Sequence, residues 1–172
     1  MNIYEPREDS YLLEKWVEML AHGKVLDMGT GSGIQALAAL KKAKSVLAVD
    51  VNQEALDELQ KKANIPVKKS DLFKSILEKF DMIIFNPPYL PQDVEIEDQS
   101  IYGGKEGYEV LVEFLRQARQ HLNQNGFILF LFSSLTNKKR IDKTLDGFDY
   151  TWSLLEEQKM DFESLYVYKA WQ

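Results

Sequence analysis

The segment Asn86-Pro87-Pro88-Tyr89 has residue types in an order that suggests a specific chemistry. The Asn86 side-chain oxygen and the Pro87 carbonyl could accept both N–H groups of an amide or an aromatic amine. Such a nitrogen is a poor nucleophile because its lone pair is delocalised, and two acceptors would favour turning that lone pair toward an electrophile. Each proline stiffens the turn, and Tyr89 could lie against the flat face of the held group. We therefore predict that Asn86, Pro87 and Tyr89 are catalytic and that they bind the substrate together with Pro88.

A second group of residues is typical of a nucleoside site. Gly29, Gly31 and Gly33 lie where a predicted strand turns into a predicted helix, and Asp50 ends the next predicted strand. Glycine permits positive φ and close approach of a ligand, and a helix N-terminus offers free N–H groups. A carboxylate at the position of Asp50 can accept both hydroxyls of a ribose. Sites for nicotinamide dinucleotides and for S-adenosylmethionine share this spacing, so the glycines do not choose the cofactor.

Asp27, just before the first of these glycines, helps to choose it. A carboxylate at that point would repel a pyrophosphate but attract the ammonium group of a methionine moiety. Asp71 and Leu72 follow the third predicted strand, where they could bind the amine and the ring of adenine; helix capping is the alternative for Asp71. The sequence therefore predicts that S-adenosylmethionine is the cofactor of a methyltransferase that acts on a planar amide or amino nitrogen.

These residues need a scaffold that brings several strand ends together. The sequence predicts a first helix over 7–20 and seven strands, at 24–28, 45–50, 66–69, 81–85, 126–132, 150–155 and 164–170. Near-continuous apolar runs indicate strands buried on both faces, as in a parallel sheet that is covered by helices. The last two strands follow each other directly, which predicts an antiparallel hairpin at one edge. We therefore expect an α/β fold with a doubly wound, mostly parallel seven-stranded sheet, Rossmann-like as in class I methyltransferases.

Length and composition limit the alternatives. The 172 residues fit one domain, so we expect a single methyltransferase domain over 1–172. A net charge of -6 disfavours a main affinity for phosphate backbones, so a nucleic-acid partner is not expected. The absence of cysteine excludes thiolate metal sites, and His22 and His121 are interpreted as surface or capping residues, so no metal is expected. Neither a signal peptide nor a membrane span is recognisable, which predicts a soluble cytoplasmic protein without a membrane partner.

The order of the motifs resembles that of release-factor glutamine methyltransferases, the HemK-like enzymes. The matching segments are IYEPREDSYLL (3–13), DMGTGSG (27–33), VDVN (49–52), SDLF (70–73), FNPPYLP (85–91) and YGGKEG (102–107). The YEPREDS opening is similar to the archaeal and eukaryotic branch, and the extra N-terminal helical domain usual in the bacterial branch is absent from this sequence. The family methylates the side-chain amide of the glutamine in the Gly-Gly-Gln loop of translation termination factors.

The resemblance implies roles for individual positions. It implies cofactor contacts from Ser10, Asp27, Gly29, Asp50, Asp71, Leu72 and Asn86. Asn86 would touch both cofactor and glutamine, with Pro87 and Tyr89 completing the amide clamp, and the role of Ser10 rests on the resemblance alone. Members of this branch often work with a small zinc-binding adapter protein that docks at the sheet edge. The third strand, which carries Lys68 and Lys69, is a candidate docking edge for this adapter. The alternative is that these two charges prevent the edge from pairing with another chain.

Other substrates and classes stay open at this stage. An adenine amino-group methyltransferase could use the same Asn-Pro-Pro-Tyr logic on a flipped base, and relatives of this branch also act on lysine. A non-catalytic cofactor-binding scaffold is less consistent with the intact acid and asparagine of the motifs. An NAD-dependent oxidoreductase is less consistent with Asp27. Gly103 and Gly104 suit a hinge or a tight turn, and a nearby acidic segment is interpreted as a solvated lid or as a surface that steers a basic partner; it contains Asp93, Glu95, Glu97 and Asp98.

Overall fold

A seven-stranded sheet organises the computed structural model, which describes residues 3–91 and 102–172. The strands are β1 (Lys24–Met28), β2 (Ser45–Asp50), β3 (Val67–Lys69), β4 (Phe80–Phe85), β5 (Leu122–Ser133), β6 (Thr151–Lys159) and β7 (Ser164–Trp171). The helices are α1 (Glu8–Leu20), α2 (Ile34–Leu40), α3 (Gln53–Lys62), α4 (Glu109–Ala118) and α5 (Lys138–Gly147), with short 3-10 turns at Arg119–His121 and Ser134–Thr136. The acidic segment that contains Asp93, Glu95, Glu97 and Asp98 lies outside the described residues.

The strand order is β3-β2-β1-β4-β5-β7-β6. The strands β1 to β5 pair in parallel, and β7 pairs antiparallel with both β5 and β6. Residues of α1 and α2 pack on one face of the sheet with Val25, and residues of α4 and α5 pack on the other face with Leu26. Helices on both faces explain why the strands are apolar throughout. The predicted doubly wound α/β fold with a C-terminal antiparallel hairpin is confirmed.

Two strands are longer than predicted. β5 begins at Leu122 rather than at residue 126, because Leu122 pairs with Phe80 and the polar residues 123–125 lie at the register shift before the ladder resumes at Phe127. β6 continues to Lys159 rather than to residue 155, because its polar last residues lie on the outermost strand and pair only with β7. Polar residues tolerated at a sheet margin carry little of the alternation that predicts a strand. The apolar runs therefore located both strands but not their ends.

The strand directions bring several loops to one edge of the sheet. β6 runs in the same direction as β5, since both are antiparallel to β7 between them. The carboxyl ends of β1, β2, β4 and β5 and the tip of the β6–β7 hairpin therefore meet at the same edge. Ligands bind at the carboxyl edge in open α/β sheets. Within the described residues, no helix is long and apolar enough to cross a membrane.

Candidate active site

A cavity of about 910 Å³ opens at the carboxyl edge of the sheet. Its walls come from the N-terminal segment with the start of α1, the β1–α2 turn, the end of β2, the segments after β3 and β4, the start of α4 and the β6–β7 hairpin. The sequence-predicted residues that line it are Ser10, Asp27, Gly29, Gly31, Asp50, Asp71, Leu72, Asn86, Pro87, Pro88 and Tyr89. The fold thus gathers residues that are up to 79 positions apart in the sequence, from Ser10 to Tyr89. Gly33 is the predicted site residue that does not line the cavity.

The three glycines of the β1–α2 turn have different surroundings. All three have positive φ, 63° at Gly29, 51° at Gly31 and 84° at Gly33, which favours glycine at each. A Cβ on Gly31 would point into open space, with its nearest atom 3.9 Å away, so the backbone there is open to a ligand. A Cβ on Gly33 would lie 2.6 Å from Cδ1 of Leu59, so this glycine permits α2 to pack against α3.

Asp50 fixes the shape of this turn, a role that the sequence did not predict. Its Oδ2 accepts a hydrogen bond from the Gly31 backbone N–H at 2.9 Å, and its Oδ1 accepts from the Asn52 N–H at 2.8 Å. Each carboxylate oxygen can accept a second hydrogen bond, so the predicted contact with ribose hydroxyls is compatible with these bonds. Asn52 itself caps α3, with its side-chain oxygen accepting from the Glu54 N–H at 3.1 Å.

Asp27 is a buried carboxyl at the end of β1, with 1% of its surface exposed. Burial raises its pKa to about 7, although hydrogen bonds from the Thr30 hydroxyl at 2.6 Å and from the Ala36 N–H act in the opposite direction. A cationic group in the cavity would stabilise the charged carboxylate and offset the cost of burial. The surroundings of Asp27 therefore fit an ammonium group and not a phosphate.

Asn86 is held in one orientation by Asp9. The Asn86 Nδ2 donates to Asp9 Oδ2 at 2.8 Å, and Asp9 is buried in the first turn of α1. A carboxylate only accepts hydrogen bonds here, so the amide nitrogen must face Asp9 and the amide oxygen must face away from it. That oxygen, Oδ1, is buried and has no hydrogen-bond partner among the described residues. A buried acceptor without a partner is costly, and a donor on a ligand would satisfy it.

Two tyrosines complete this polar cluster. The Tyr4 hydroxyl donates to Asp9 Oδ1 at 3.1 Å. Burial raises the pKa of both Tyr4 and Tyr89, and the charge of Asp9 is the second largest cause of the increase. Both hydroxyls therefore stay protonated at neutral pH, so neither phenol is a general base. The Tyr89 carbonyl accepts from the Thr136 hydroxyl at 3.2 Å, which ties the segment after β4 to the 3-10 turn that follows β5.

Ser10 and Gln35 connect α1 to α2 at the cavity wall. The Ser10 hydroxyl donates to Asp9 Oδ1 at 3.3 Å, and its carbonyl accepts from Gln35 Nε2 at 2.9 Å. This bond fixes the Gln35 amide, and the Gln35 Oε1 is a second buried acceptor without a partner among the described residues. Gln35 lines the cavity and could accept from a cofactor donor. Neither Asp9 nor Gln35 was predicted as a site residue, although Gln35 is a polar residue in the otherwise apolar start of α2.

Asp71 and Leu72 lie in the segment after β3. The chain makes a turn there and not a helix, so the alternative interpretation of Asp71 as a helix cap is wrong. The Asp71 carboxylate is largely exposed and forms an ion pair with Lys74 at 2.6 Å. Leu72 has a φ of 48°, which is uncommon outside glycine, and it lines the cavity.

Glycines support the segment after β4 from behind. A Cβ on Gly103 would lie 2.6 Å from the Pro88 carbonyl oxygen, and a Cβ on Gly107 would lie 2.6 Å from the Tyr89 carbonyl oxygen. The Gly103 N–H donates to the Leu90 carbonyl at 2.9 Å. Gly103 therefore allows close backbone packing behind the proline pair. Gly104 has a φ of 114° and begins a turn. The Gly107 N–H closes this turn by donating to the Gly104 carbonyl at 3.3 Å.

The described lining of the cavity is strongly acidic. Arg7 is its one basic residue. The carboxyl groups of the lining belong to Glu5, Glu8, Asp9, Asp27, Asp50, Asp71, Glu109, Glu113 and Glu163. Among residues 3–91 and 102–172, no group of histidine and carboxylate side chains could hold a metal ion. The arrangement can bind a polar, cationic or neutral ligand and offers little attraction for phosphate groups.

Comparisons with known proteins agree with this geometry. Residues 8–159 match the methyltransferase small domain family. The chain is 36% identical to a Methanocaldococcus jannaschii protein named as a protein N5-glutamine methyltransferase, with 99% of this chain and 92% of that protein covered. It is 37% identical to the release factor glutamine methyltransferase of Streptococcus pneumoniae, over 60% of this chain and 43% of that longer protein.

A solved structure is similar over the whole chain. It is the E. cuniculi Mtq2-Trm112 complex, responsible for the methylation of the eRF1 translation termination factor. The TM-score is 0.84 at 29% identity, with 100% of this chain and 99% of that chain covered. The ribosomal protein L11 methylase of Lactobacillus delbrueckii subsp. bulgaricus shares the fold, with a TM-score of 0.73 at 23% identity, 98% of this chain and 81% of that chain being covered.

Proposed function

This chain belongs to the methyltransferase small domain family, among the protein N5-glutamine methyltransferases, and we propose that it methylates the glutamine of the Gly-Gly-Gln loop in a translation termination factor. It is an enzyme that uses S-adenosylmethionine. The observation that carries the proposed substrate is the buried Asn86 Oδ1, an acceptor without a described partner whose direction is set by Asp9. An amide N–H of glutamine is a donor of the required kind.

The cavity residues fit this cofactor. Asp50 would accept the ribose hydroxyls, Asp27 and Gln35 would bind the ammonium end of the methionine moiety, and Asp71 and Leu72 would bind the adenine. The open backbone at Gly31, the raised pKa of Asp27 and the unpartnered Gln35 Oε1 support this assignment. The bound cofactor supplies a methyl group on a positively charged sulfur as the electrophile. Ser10 would support this end of the site through its bonds to Asp9 and Gln35.

The segment after β4 would form the amide clamp. Asn86 Oδ1 and the Pro87 carbonyl would accept the two hydrogens of the glutamine amide, and this would orient the nitrogen lone pair toward the methyl group. Tyr89 would pack on the flat amide, with Pro88 stiffening the turn. Tyr4 and Tyr89 stay neutral and no strong base is required, so the proton leaves to solvent after transfer. Orientation of this kind can lower a barrier by ~7–11 kcal/mol in favourable cases.

Asp9 has a different role from that of the clamp residues. It touches Asn86, Tyr4 and Ser10 but is not itself placed against the amide in this scheme. Asp9 is therefore a positioning residue that acts through Asn86. The three donors that converge on its carboxylate explain why an acidic residue suits this buried position.

A small adapter protein is proposed as a partner, since the similar E. cuniculi protein is found in a complex with Trm112. β3 (Val67–Lys69) is the outermost strand at one side of the sheet, and among residues 3–91 and 102–172 it pairs only with β2. Its free edge could pair with a strand of the adapter, and Lys68 and Lys69 would face an acidic partner there. Zinc binding by that adapter stays a prediction.

We also propose that residues 1–172 act as one methyltransferase domain, which the continuous sheet supports.

The acidic lining bears on the alternative substrates. A base within DNA or RNA would bring phosphates toward the carboxyl groups that surround the cavity, so this alternative is disfavoured. The same lining would tolerate a protonated lysine, so a protein substrate with broader acceptors is the second candidate. A lysine ammonium has no lone pair until it is deprotonated, whereas a neutral amide matches the Asn86 acceptor directly.

Transfer of a labelled methyl group to the termination factor tests the proposal. The protein would be incubated with labelled S-adenosylmethionine and the factor, with the loop glutamine intact or changed to alanine, each with and without the candidate adapter. Parallel reactions would contain total tRNA and DNA. We expect label on the intact factor only, and dependence on the adapter would appear in the same comparison. Label on both forms of the factor, on nucleic acid, or on none of these would reject glutamine as the acceptor.

A further inference from the structure

Phe162 lies at the tip of the β6–β7 hairpin, and 96% of its side chain is exposed. Tight turns are usually made by polar residues and glycine, and a fully exposed aromatic ring contributes no burial to folding. Its neighbours in the turn, Asp161 and Glu163, follow the usual polar pattern. Folding of the hairpin therefore gives no reason for a phenylalanine at this position.

The hairpin tip borders the candidate active site. It lies at the carboxyl edge of the sheet, because β6 runs in the same direction as β5. Met160, Glu163 and Leu165, on either side of Phe162, line the same cavity as Asn86. A loop that occupies this cavity would therefore lie beside residues of the hairpin.

Hydrogen bonds close the turn at the tip and connect it to the residues that follow β5. The Met160 N–H donates to the Glu163 carbonyl at 2.8 Å and closes the turn. The Ser133 hydroxyl at the end of β5 donates to the Glu163 carboxylate. The Ser164 N–H donates to the Ser134 hydroxyl oxygen at 3.0 Å. The hairpin tip is thus joined to the 3-10 turn at Ser134–Thr136.

The same 3-10 turn is joined to the amide clamp. The Thr136 hydroxyl donates to the Tyr89 carbonyl at 3.2 Å. Leu135, in the middle of this turn, is 47% exposed. Hydrogen bonds therefore connect the clamp to the 3-10 turn and the 3-10 turn to the hairpin tip. The 3-10 turn and the hairpin tip each carry one exposed apolar side chain, Leu135 and Phe162.

We propose that Phe162 and Leu135 form a docking surface for the folded body of the protein whose loop enters the cavity. This inference rests on the proposed function and adds that recognition extends beyond the loop. Single exposed apolar residues are common on protein surfaces. Leu77 is such a residue, 92% exposed just before β4 and so at the opposite edge of the sheet. Phe162 differs from Leu77 because it lies beside the cavity and is tied to the clamp.

The test compares a folded substrate with a short one. Phe162→Ala, the double variant Phe162→Ala with Leu135→Ala, and the control Leu77→Ala would be assayed on the folded termination factor and on a peptide that covers its Gly-Gly-Gln loop. We expect Phe162→Ala to raise KM for the folded factor about tenfold at unchanged kcat, as for an exposed aromatic anchor. The double variant should raise KM further, and kcat/KM for the peptide should stay at the wild-type value.

Binding of the folded factor gives a second measurement that does not depend on turnover. The factor with its loop glutamine changed to alanine should bind Phe162→Ala about tenfold more weakly than the wild type. Leu77→Ala should bind it as the wild type does, and all variants should keep the wild-type melting temperature, since the changed side chains are exposed. Wild-type KM and affinity in Phe162→Ala would overturn the docking surface, as would equal losses on factor and peptide. A wild-type enzyme that is inactive on the factor would reject the proposed substrate itself.

Discussion

Replacement of Asp9 by alanine separates orientation of the clamp from binding of the cofactor. In the structure Asp9 Oδ2 accepts from Asn86 Nδ2 at 2.8 Å, and this bond directs the Asn86 oxygen away from Asp9. Without the carboxylate, the Asn86 amide can rotate and present its NH2 group to a substrate amide that is also a donor. The bond that is lost involves a charged acceptor, and such bonds contribute about 1.5–3 kcal/mol.

That free energy sets the expected loss of rate. If the contribution of the Asp9–Asn86 hydrogen bond is lost only in the transition state, kcat falls about 10- to 150-fold, since about 1.4 kcal/mol corresponds to a factor of ten in rate. The rate would be measured in a single turnover with labelled S-adenosylmethionine and saturating termination factor. Calorimetric titration with S-adenosylhomocysteine would measure cofactor binding, which we expect to stay close to that of the wild type.

Asp9→Asn is the matched control. An asparagine can keep an oxygen toward Asn86, while the hydroxyls of Tyr4 and Ser10, which donate to Asp9 in the wild type, reverse and accept from its NH2 group. The rate should therefore recover most of the loss seen with alanine. A wild-type rate for Asp9→Ala would refute the orienting role, and an equally low rate for both variants would mean that the charge matters and the orientation does not.

Three further changes test other parts of the site. Asn86→Ala should abolish methyl transfer while titration still detects cofactor binding, and loss of both would mean that the fold or the assignment is wrong. Asp50→Ala should weaken cofactor binding about tenfold or more, because it removes acceptors for ribose and releases the Gly31 N–H; unchanged affinity would contradict this. Burial raises the pKa of Asp27 to about 7, so the folded protein keeps a proton that the unfolded chain has already lost. The free energy of unfolding of the ligand-free wild type should therefore fall, relative to Asp27→Asn, as the pH rises from about 4 to about 7, and stay level above that. Urea denaturation across this range measures the difference, and parallel curves for the two proteins would exclude it.

Features that depend on a local pattern of residues can be predicted from the sequence. Apolar runs such as that at 126–132 indicated strands buried on both faces, and the glycines at 29, 31 and 33 indicated a turn with positive φ. The Asn-Pro-Pro-Tyr segment was recognisable because its residue types and its place directly after a strand are enough to suggest the chemistry.

Contacts between distant residues depend on how whole helices and strands pack, and the folded structure was needed to find them. Asp9 and Asn86 are 77 positions apart, and their contact depends on α1 packing beside the end of β4. Phe162 comes to the cavity because β7 is inserted between β5 and β6, a strand order that no local pattern specifies. Gly33 has the same backbone preference as Gly31, yet it packs against Leu59 and not along the cavity. Periodicity and propensity set the burial and backbone angles of each segment, whereas hydrogen-bond partners across the sheet are set by the packing of whole elements.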